Sequence, residues 1–222
     1  MAVAHDHKPT LPTRCTECQQ LMDSPIACAT CGSLGQLPAD TFDSFELFGQ
    51  QRSYDVDLEA LHRRYLALCR VIHPDIAGGQ ASQQRRQALN LSAELNRAYE
   101  TLRDPVARAA YMLALAGGPS AAEMKKVPQS LLGEILVLRE AIEEARETGD
   151  AATLRTIKQE IAAKHQATLE KIGDLTRQME CWSGDIRRQL REQLNIIKYW
   201  NSLLEQIPVN LSEAGTAGQG AT

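Results

Sequence analysis

Apolar residues recur at helical spacing in almost every long segment of this 222-residue chain. A spacing of three or four residues places them on one stripe of an α-helix, whereas a strand would need apolar and polar residues in alternation. Runs that alternate in this way are nearly absent. Glycine and proline interrupt the helical pattern at residues 32–38, at 117–119 and after Pro208. The sequence therefore predicts an all-α fold that is divided at these three places.

The composition is typical of a water-soluble protein, because 43% of the residues are hydrophobic, 23% are charged and the net charge is −4. No segment is strongly basic, and no apolar run approaches the roughly 18 residues that a bilayer span requires. The first residues contain Asp6 and lack the apolar core of a signal peptide. We therefore expect no membrane and no nucleic-acid partner. The expected location is the cytoplasm, or the mitochondrial matrix in a eukaryote, although no clear transit peptide is present.

Four cysteines form two C-x-x-C pairs, Cys15 with Cys18 and Cys28 with Cys31, with nine residues between the pairs. Two intervening residues let a tight turn aim both thiolates at one point, so two such turns supply the four sulfurs of a tetrahedral zinc site. Gly32 follows the second pair and adopts the left-handed conformation without steric cost. The spacing predicts a structural Zn²⁺ site, because four sulfurs leave no open coordination position for catalysis.

Other uses of these cysteines stay open at this point, namely a pair of disulfides or a redox-active dithiol that exchanges thiols with a substrate. Both are less favoured, because an export signal is missing and the short segment has no βαβ pattern. Nucleic-acid binding by this segment is also disfavoured, since residues 1–43 are net acidic and hold only Lys8 and Arg14 as basic residues.

The glycine and proline positions divide the chain into four predicted segments. These are a four-cysteine metal-binding arm at 1–43, a domain built on a helical hairpin at 44–118, a three-helix bundle at 119–208 and a disordered tail at 209–222. The Gly/Pro-containing stretch between the cysteines and the hairpin indicates a linker, so we expect the arm to be a separate module.

The hairpin is predicted to display a charged tripeptide at its tip. Pro74 ends the first long helix, since its ring disfavours helical conformation in the preceding residue and it lacks an N–H group. A second long helix follows a short loop, and such helices pack antiparallel, which places His73, Pro74 and Asp75 between them. On these residues alone the tripeptide could be a simple helix terminator, because aspartate bonds the amides of turns.

The sequence around the tripeptide resembles a J-domain. The segment FELFG precedes it at residues 45–49, and NRAYETLRDPVARAAY follows it at 96–111, in the pattern N-x-A-Y-x-x-L-x-x-P-x-x-R-x-x-Y. More narrowly, the chain resembles the HscB family from about Phe45 to Ile207. That family consists of J-type co-chaperones of iron–sulfur cluster assembly, and some members carry an N-terminal pair of C-x-x-C motifs. This chain departs from it at Ile76, where a lysine is common.

The resemblance implies a non-enzymatic adaptor that docks a DnaK/HscA-type ATPase chaperone and stimulates its ATP hydrolysis. The implied docking residues are the tripeptide and three cations of the preceding helix: His73, Pro74, Asp75, Arg63, Arg64 and Arg70. These arginines stand where lysines are usual in the family. A stripe of cations steers an acidic partner surface, so the charge of this face agrees with the implied role. The alternative is a general J-domain co-chaperone whose bundle binds unfolded clients.

The predicted bundle carries more apolar residues than its core requires. Its first and last helices each show a second apolar stripe, which in the last helix consists of Ile196, Tyr199 and Leu203. The pattern alone does not decide whether such a stripe widens the core or faces a partner. The resemblance implies that this region binds an IscU-type iron–sulfur scaffold, and the matching positions are Leu132, Leu136, Glu140, Glu144 and Tyr199. Gly133 stands where a larger apolar residue would strengthen the contact.

Overall fold

The computed structural model describes residues 13–35, 42–72, 82–178 and 183–208. These ranges contain seven helices and one short antiparallel ribbon. The chain forms two compact units, Met1–Met112 and Leu113–Thr222. The elements are β1 (Thr13–Arg14), β2 (Leu21–Met22), α1 (Ser44–Leu47), α2 (Leu58–Val71), α3 (Ser82–Arg103), α4 (Pro105–Leu115), α5 (Gln129–Glu147), α6 (Ala151–Arg177) and α7 (Gly184–Gln206). The predicted all-α class, with a hairpin and a three-helix bundle, is confirmed.

The first unit is built on the antiparallel pair α2 and α3. Asp57 begins α2, because its carboxylate accepts hydrogen bonds from the amides of Glu59 and Ala60, both at 3.0 Å. Apolar residues at helical spacing on both helices are buried between them: Leu61, Leu68, Ile72, Leu91, Leu95, Ala98 and Leu102. The tripeptide His73–Asp75, which follows α2, lies outside the described residues.

The J-like motif residues brace this unit. Phe45 of α1 is buried and stacks on Tyr111, with ring centroids 6.2 Å apart, while the Tyr111 hydroxyl accepts a hydrogen bond from the Ser44 amide at 2.8 Å. Arg108 is also buried; it donates to the Leu102 carbonyl and lies 5.1 Å from the centroid of the Tyr54 ring. The motif therefore fixes α1 and α4 in this unit, in agreement with the resemblance.

The second unit holds the bundle of α5, α6 and α7. Apolar residues of all three helices share a core: Leu131, Ile135, Leu138, Ile142, Ala145, Leu154, Ile157, Ile161, Ile196, Trp200, Leu203 and Ile207. A second row on α7 is buried as well, namely Leu190, Leu194 and Ile197. The Trp200 indole donates to the Thr168 hydroxyl at 3.1 Å, so its buried N–H has a partner. Two members of the surplus stripe predicted on α7, Ile196 and Leu203, belong to this core. The wide-core interpretation is thus the right one for them.

The metal-binding arm rests directly on the hairpin domain within the first unit. Ser24 is fully buried, and its hydroxyl donates to the Leu47 carbonyl at 2.7 Å and accepts from the Ile26 amide at 3.2 Å. The side-chain amide of Gln87 on α3 donates through Nε2 to the Gly35 carbonyl at 2.6 Å. The composition of the linker gave no sign of these contacts between the arm and the hairpin domain.

The segment boundaries predicted at 43, 118 and 208 stay predictions, and the predicted tail lies outside the described residues.

Gly49 permits the arm to approach α1 so closely. It has a φ of +66°, and a Cβ atom at this position would lie 2.0 Å from the carbonyl oxygen of Asp23. An L-residue would therefore meet both an unfavourable backbone conformation and a collision with backbone. The absence of a side chain at Gly49 is a requirement of the arm's position.

We expect Gly49→Ala to lower the free energy of unfolding by about 2–4 kcal/mol, since conformational strain adds to displacement of the arm. Gly149→Ala is the matched control, because Gly149 has a φ of +69° with no atom within 4 Å of an added Cβ. Its loss should be about 1 kcal/mol, the strain alone. Urea unfolding of both variants measures the difference, and equal losses would contradict the close packing of the arm.

Candidate metal centre and docking surfaces

The four cysteines of the arm converge on one point. Their Sγ atoms all lie within 4.8 Å of one another, and the Cys15–Cys31 and Cys18–Cys28 pairs are each separated by 3.6 Å. Sulfurs bound to a tetrahedral Zn²⁺ at about 2.3 Å are about 3.8 Å apart. The donor set therefore fits a four-coordinate metal ion, as the spacing predicted.

Two equivalent turns position these sulfurs. In the first, the amide of Gln19 donates to the Cys15 carbonyl at 3.0 Å, and in the second the amide of Gly32 donates to the Cys28 carbonyl at 2.9 Å. The residue after each pair is left-handed, with a φ of 60° at Gln19 and 71° at Gly32. The prediction for Gly32 is confirmed. The equivalent role of Gln19 was missed, because glutamine has no preference that marks it.

Hydrogen bonds and crowding give the thiols different proton affinities. The hydrogen bond from Ser33 lowers the pKa of Cys15 to about 6. At Cys18 the Gln20 amide favours the thiolate, but burial and three neighbouring sulfurs outweigh it and raise the pKa to about 12. A bound cation takes the place of the protons that crowded sulfurs retain, so metal affinity should fall as the pH is lowered.

The three predicted docking arginines all lie on α2, but they have different surroundings. Arg63 and Arg70 are exposed and, being seven residues apart, share a face. Arg64 is only 26% exposed and forms an ion pair with Asp23 of the arm, with an Nη2–Oδ1 distance of 2.7 Å. The arm therefore holds one cation of the predicted docking face.

An aromatic cluster on α2 and α3 was not singled out from the sequence. The rings of Tyr65 and Tyr99 stack with centroids 4.2 Å apart, and His62 Nδ1 shares a hydrogen bond of 2.9 Å with the Tyr99 hydroxyl. The Tyr65 hydroxyl donates to Asn96 at 2.9 Å. Two of these residues, Asn96 and Tyr99, belong to the quoted J-like pattern, so that pattern was the available signal. The cluster ties the two helices together beside the arginines.

The predicted scaffold-binding residues of α5 form one exposed row. Leu132 and Leu136 are 40% and 59% exposed, and Glu140 and Glu144 continue the row at intervals of four residues. Val137, which the resemblance did not indicate, is 64% exposed and enlarges the apolar surface. A Cβ added at Gly133 would meet no atom within 4 Å.

Tyr199 differs from the α5 residues because it is half-buried and packs against the bundle core. It also lines a groove with Arg139 of α5, so its exposed part faces the same side of the bundle. Tyr199 can therefore serve both packing and recognition.

Cys28→Ser should remove the bound metal and disorder the arm, because the site loses one of its four sulfur ligands. Helical content should persist, while the unfolding midpoint of the first unit falls by a few degrees as the Ser24 and Asp23 contacts are lost. Metal analysis and circular dichroism measure the two effects. Cys69→Ser, a cysteine on α2 outside the cluster, is the control and should keep its metal. Unchanged metal content in Cys28→Ser would contradict the assignment.

Comparisons with known proteins agree with the resemblance read from the motifs. Residues 127–208 match the family model described as the HSCB C-terminal oligomerisation domain. The chain is 34% identical over 131 residues to the co-chaperone protein HscB of Proteus mirabilis (strain HI4320). The aligned region covers 59% of this chain and 72% of that protein.

Among the described residues, no helix combines the length and the hydrophobicity that a membrane span requires.

Two solved structures have the same fold. Human co-chaperone protein HscB superposes with a TM-score of 0.68 at 27% identity, covering 88% of this chain and 96% of its own. Chaperone HscB from Vibrio cholerae gives a TM-score of 0.63 at 26% identity, covering 75% and 95%. The chain therefore belongs to the HscB family of co-chaperones, which confirms the predicted family and the prediction that the protein is not an enzyme.

Proposed function

We propose that this protein is an adaptor that delivers an IscU-type iron–sulfur scaffold to a DnaK/HscA-type chaperone and stimulates the ATPase of that chaperone. In this role it aids cluster transfer and the maturation of iron–sulfur proteins. The observation that carries the proposal is the presence of two chemically distinct exposed surfaces on different compact units. One is the cationic face of α2, and the other is the apolar and acidic row of α5.

The face of α2 suits an acidic partner. Arg63 contacts Glu59 at 3.6 Å, but both side chains are mostly exposed, and such a pair contributes little. Arg63 and Arg70 are therefore available to carboxylates of a chaperone. The tripeptide His73–Asp75 follows this helix directly in the sequence, where Asp75 can accept hydrogen bonds from a partner cation.

The row on α5 suits a partner with an apolar patch. The core of the bundle is complete without Leu132, Leu136 and Val137, and large exposed apolar side chains in one place are typical of protein interfaces. Glu140 and Glu144 lie beyond them on the row and are suited to steer a basic region of the scaffold.

For the arm we propose a structural Zn²⁺ bound by Cys15, Cys18, Cys28 and Cys31. When bound, the ion supplies cross-linking of the two turns and no catalytic chemistry. The proposed location is the cytoplasm, or the mitochondrial matrix in a eukaryote.

The deciding experiment measures ATP turnover by the chaperone with and without this protein and the scaffold. We expect stimulation by the wild type and its loss in His73→Gln, with an unchanged unfolding midpoint. His165→Gln on α6 makes the same chemical change in the bundle and should keep full stimulation. No stimulation by the wild type would refute the adaptor role, and a large loss of stability in His73→Gln would support the helix-terminator interpretation instead.

The scaffold surface is tested by Leu132→Ala with Leu136→Ala. Because both side chains are exposed, stability should barely change, whereas scaffold affinity should fall about tenfold for each 1.4 kcal/mol of lost contact. Leu138→Ala, on the buried side of α5, should instead cost about 2–5 kcal/mol of stability. Titration calorimetry and thermal unfolding separate these effects. Tyr199 is left intact, since it also packs on the core. Unchanged scaffold affinity in this double variant would refute the assignment of the surface. Binding of denatured polypeptides by the wild type, without selective binding of the scaffold, would favour the general co-chaperone.

A further inference from the structure

A groove of about 380 Å³ lies on the bundle, beside the row of exposed residues on α5. Its walls come from α5, from α7 and from the segment that precedes α5. The residues that matter to its chemistry are Lys125, Arg139, Asn195, Lys198, Tyr199 and Ser202. This volume accommodates a side chain or a short stretch of peptide.

The groove carries three cations and no acidic residue. Lys125, Arg139 and Lys198 are exposed, and none of them forms an ion pair with another described residue. Elsewhere on the same bundle, Lys164 pairs with Glu134 at 2.5 Å and with Glu160 at 3.6 Å. The groove is therefore a place where three cations come together and form no ion pair with the described side chains.

The position of one cation is fixed by a buried side chain. Asn195 is only 7% exposed, and its Nδ2 atom donates to the carbonyls of Met124, at 2.8 Å, and Lys126, at 3.4 Å. These carbonyls flank Lys125, so the backbone that carries this lysine is tied to α7. Such anchoring lowers the entropy cost of presenting the ammonium group to a ligand.

Arg139 connects the groove with the proposed scaffold surface. It follows Leu132 by seven residues and Leu136 by three, which places it on the same side of α5. On a helix of 3.6 residues per turn, Arg139 lies about 20° to one side of Leu132, while Glu140 and Glu144 lie about 80° and 120° to the other. Arg139 thus lies on one side of Leu132 and Leu136, and Glu140 and Glu144 lie on the other. The exposed Glu143 lies between these directions, one turn past Arg139.

We propose that this groove binds acidic side chains of the protein that docks on Leu132 and Leu136. The inference rests on the proposed scaffold-binding function and names a second, oppositely charged contact of the same partner. Three cations on separate elements match carboxylates on separate residues of a peptide segment, and the ring of Tyr199 offers an apolar wall for their methylene groups. Together with Glu140 and Glu144, the groove fixes the orientation of the partner, because the reverse orientation would place like charges together.

The variant Lys125→Gln, Arg139→Gln, Lys198→Gln tests the proposal in the full chain. We expect the association rate with the scaffold to fall about tenfold at low salt and to depend less on salt, with an unchanged unfolding midpoint. The matched control removes three cations from α6 through Arg155→Gln, Lys158→Gln and Lys171→Gln. It should keep most of the wild-type rate. If both variants behave alike, or if the groove variant binds as the wild type does, the groove is not a contact.

A probe without the scaffold separates this inference from the proposed function. Hexaglutamate, added to the ¹⁵N-labelled full chain, should give saturable amide shifts at Lys125, Lys198 and Tyr199 that the groove variant loses. Inorganic phosphate, added at the same total concentration of negative charge, should not reproduce these shifts. Absent shifts, or equal shifts with phosphate, overturn the acidic-peptide assignment. Failure of the wild type to bind scaffold overturns the proposed function, while the peptide result still decides the chemistry of the groove.

Discussion

Burial of apolar side chains between the helices of the bundle is the interaction on which the rest of this structure depends. A helix in a small bundle can bury only part of its circumference, so any further apolar side chain either widens the core or stays in water. In α7 the first outcome holds, because Ile196 and Leu203 complete the core. In α5 the second holds, because Leu132 and Leu136 remain outside it. The proposed scaffold-binding surface therefore consists of apolar side chains that the core does not bury.

The same logic of shared surfaces applies to the metal-binding arm. A segment this short has little core of its own, and a metal ion held by its four cysteines would supply the cross-link that a hydrophobic core otherwise provides. The arm also packs on the hairpin domain, through the hydrogen bond of buried Ser24 to Leu47 and the ion pair of Asp23 with Arg64. The arm contributes to the electrostatics of the α2 face as well as to local stability.

The sequence alone predicted the features that depend on neighbouring residues in the chain. Helical periodicity predicted the class, the C-x-x-C spacing predicted the cluster, and Gly32 predicted a left-handed turn, all without knowledge of distant contacts. Contacts between separate segments were not accessible in this way. Nothing in the residues around Asp23 or Gly49 indicates that they meet, since their contact depends on the path of the intervening chain. The groove required the structure for the same reason, because its cations come from positions that are far apart along the chain.

Gly133 has a consequence for how long a partner remains bound. It lies within α5 beside Leu132, has open space where a Cβ would project, and lowers the stability of a helix by about 1 kcal/mol relative to alanine. Any larger apolar residue would therefore strengthen both the helix and the contact surface. In the proposed function the protein must hand over the scaffold, so a short residence time is an advantage, and dissociation rates are what small changes in apolar contact alter most. In that proposed role, the missing side chain at Gly133 would favour release of the scaffold.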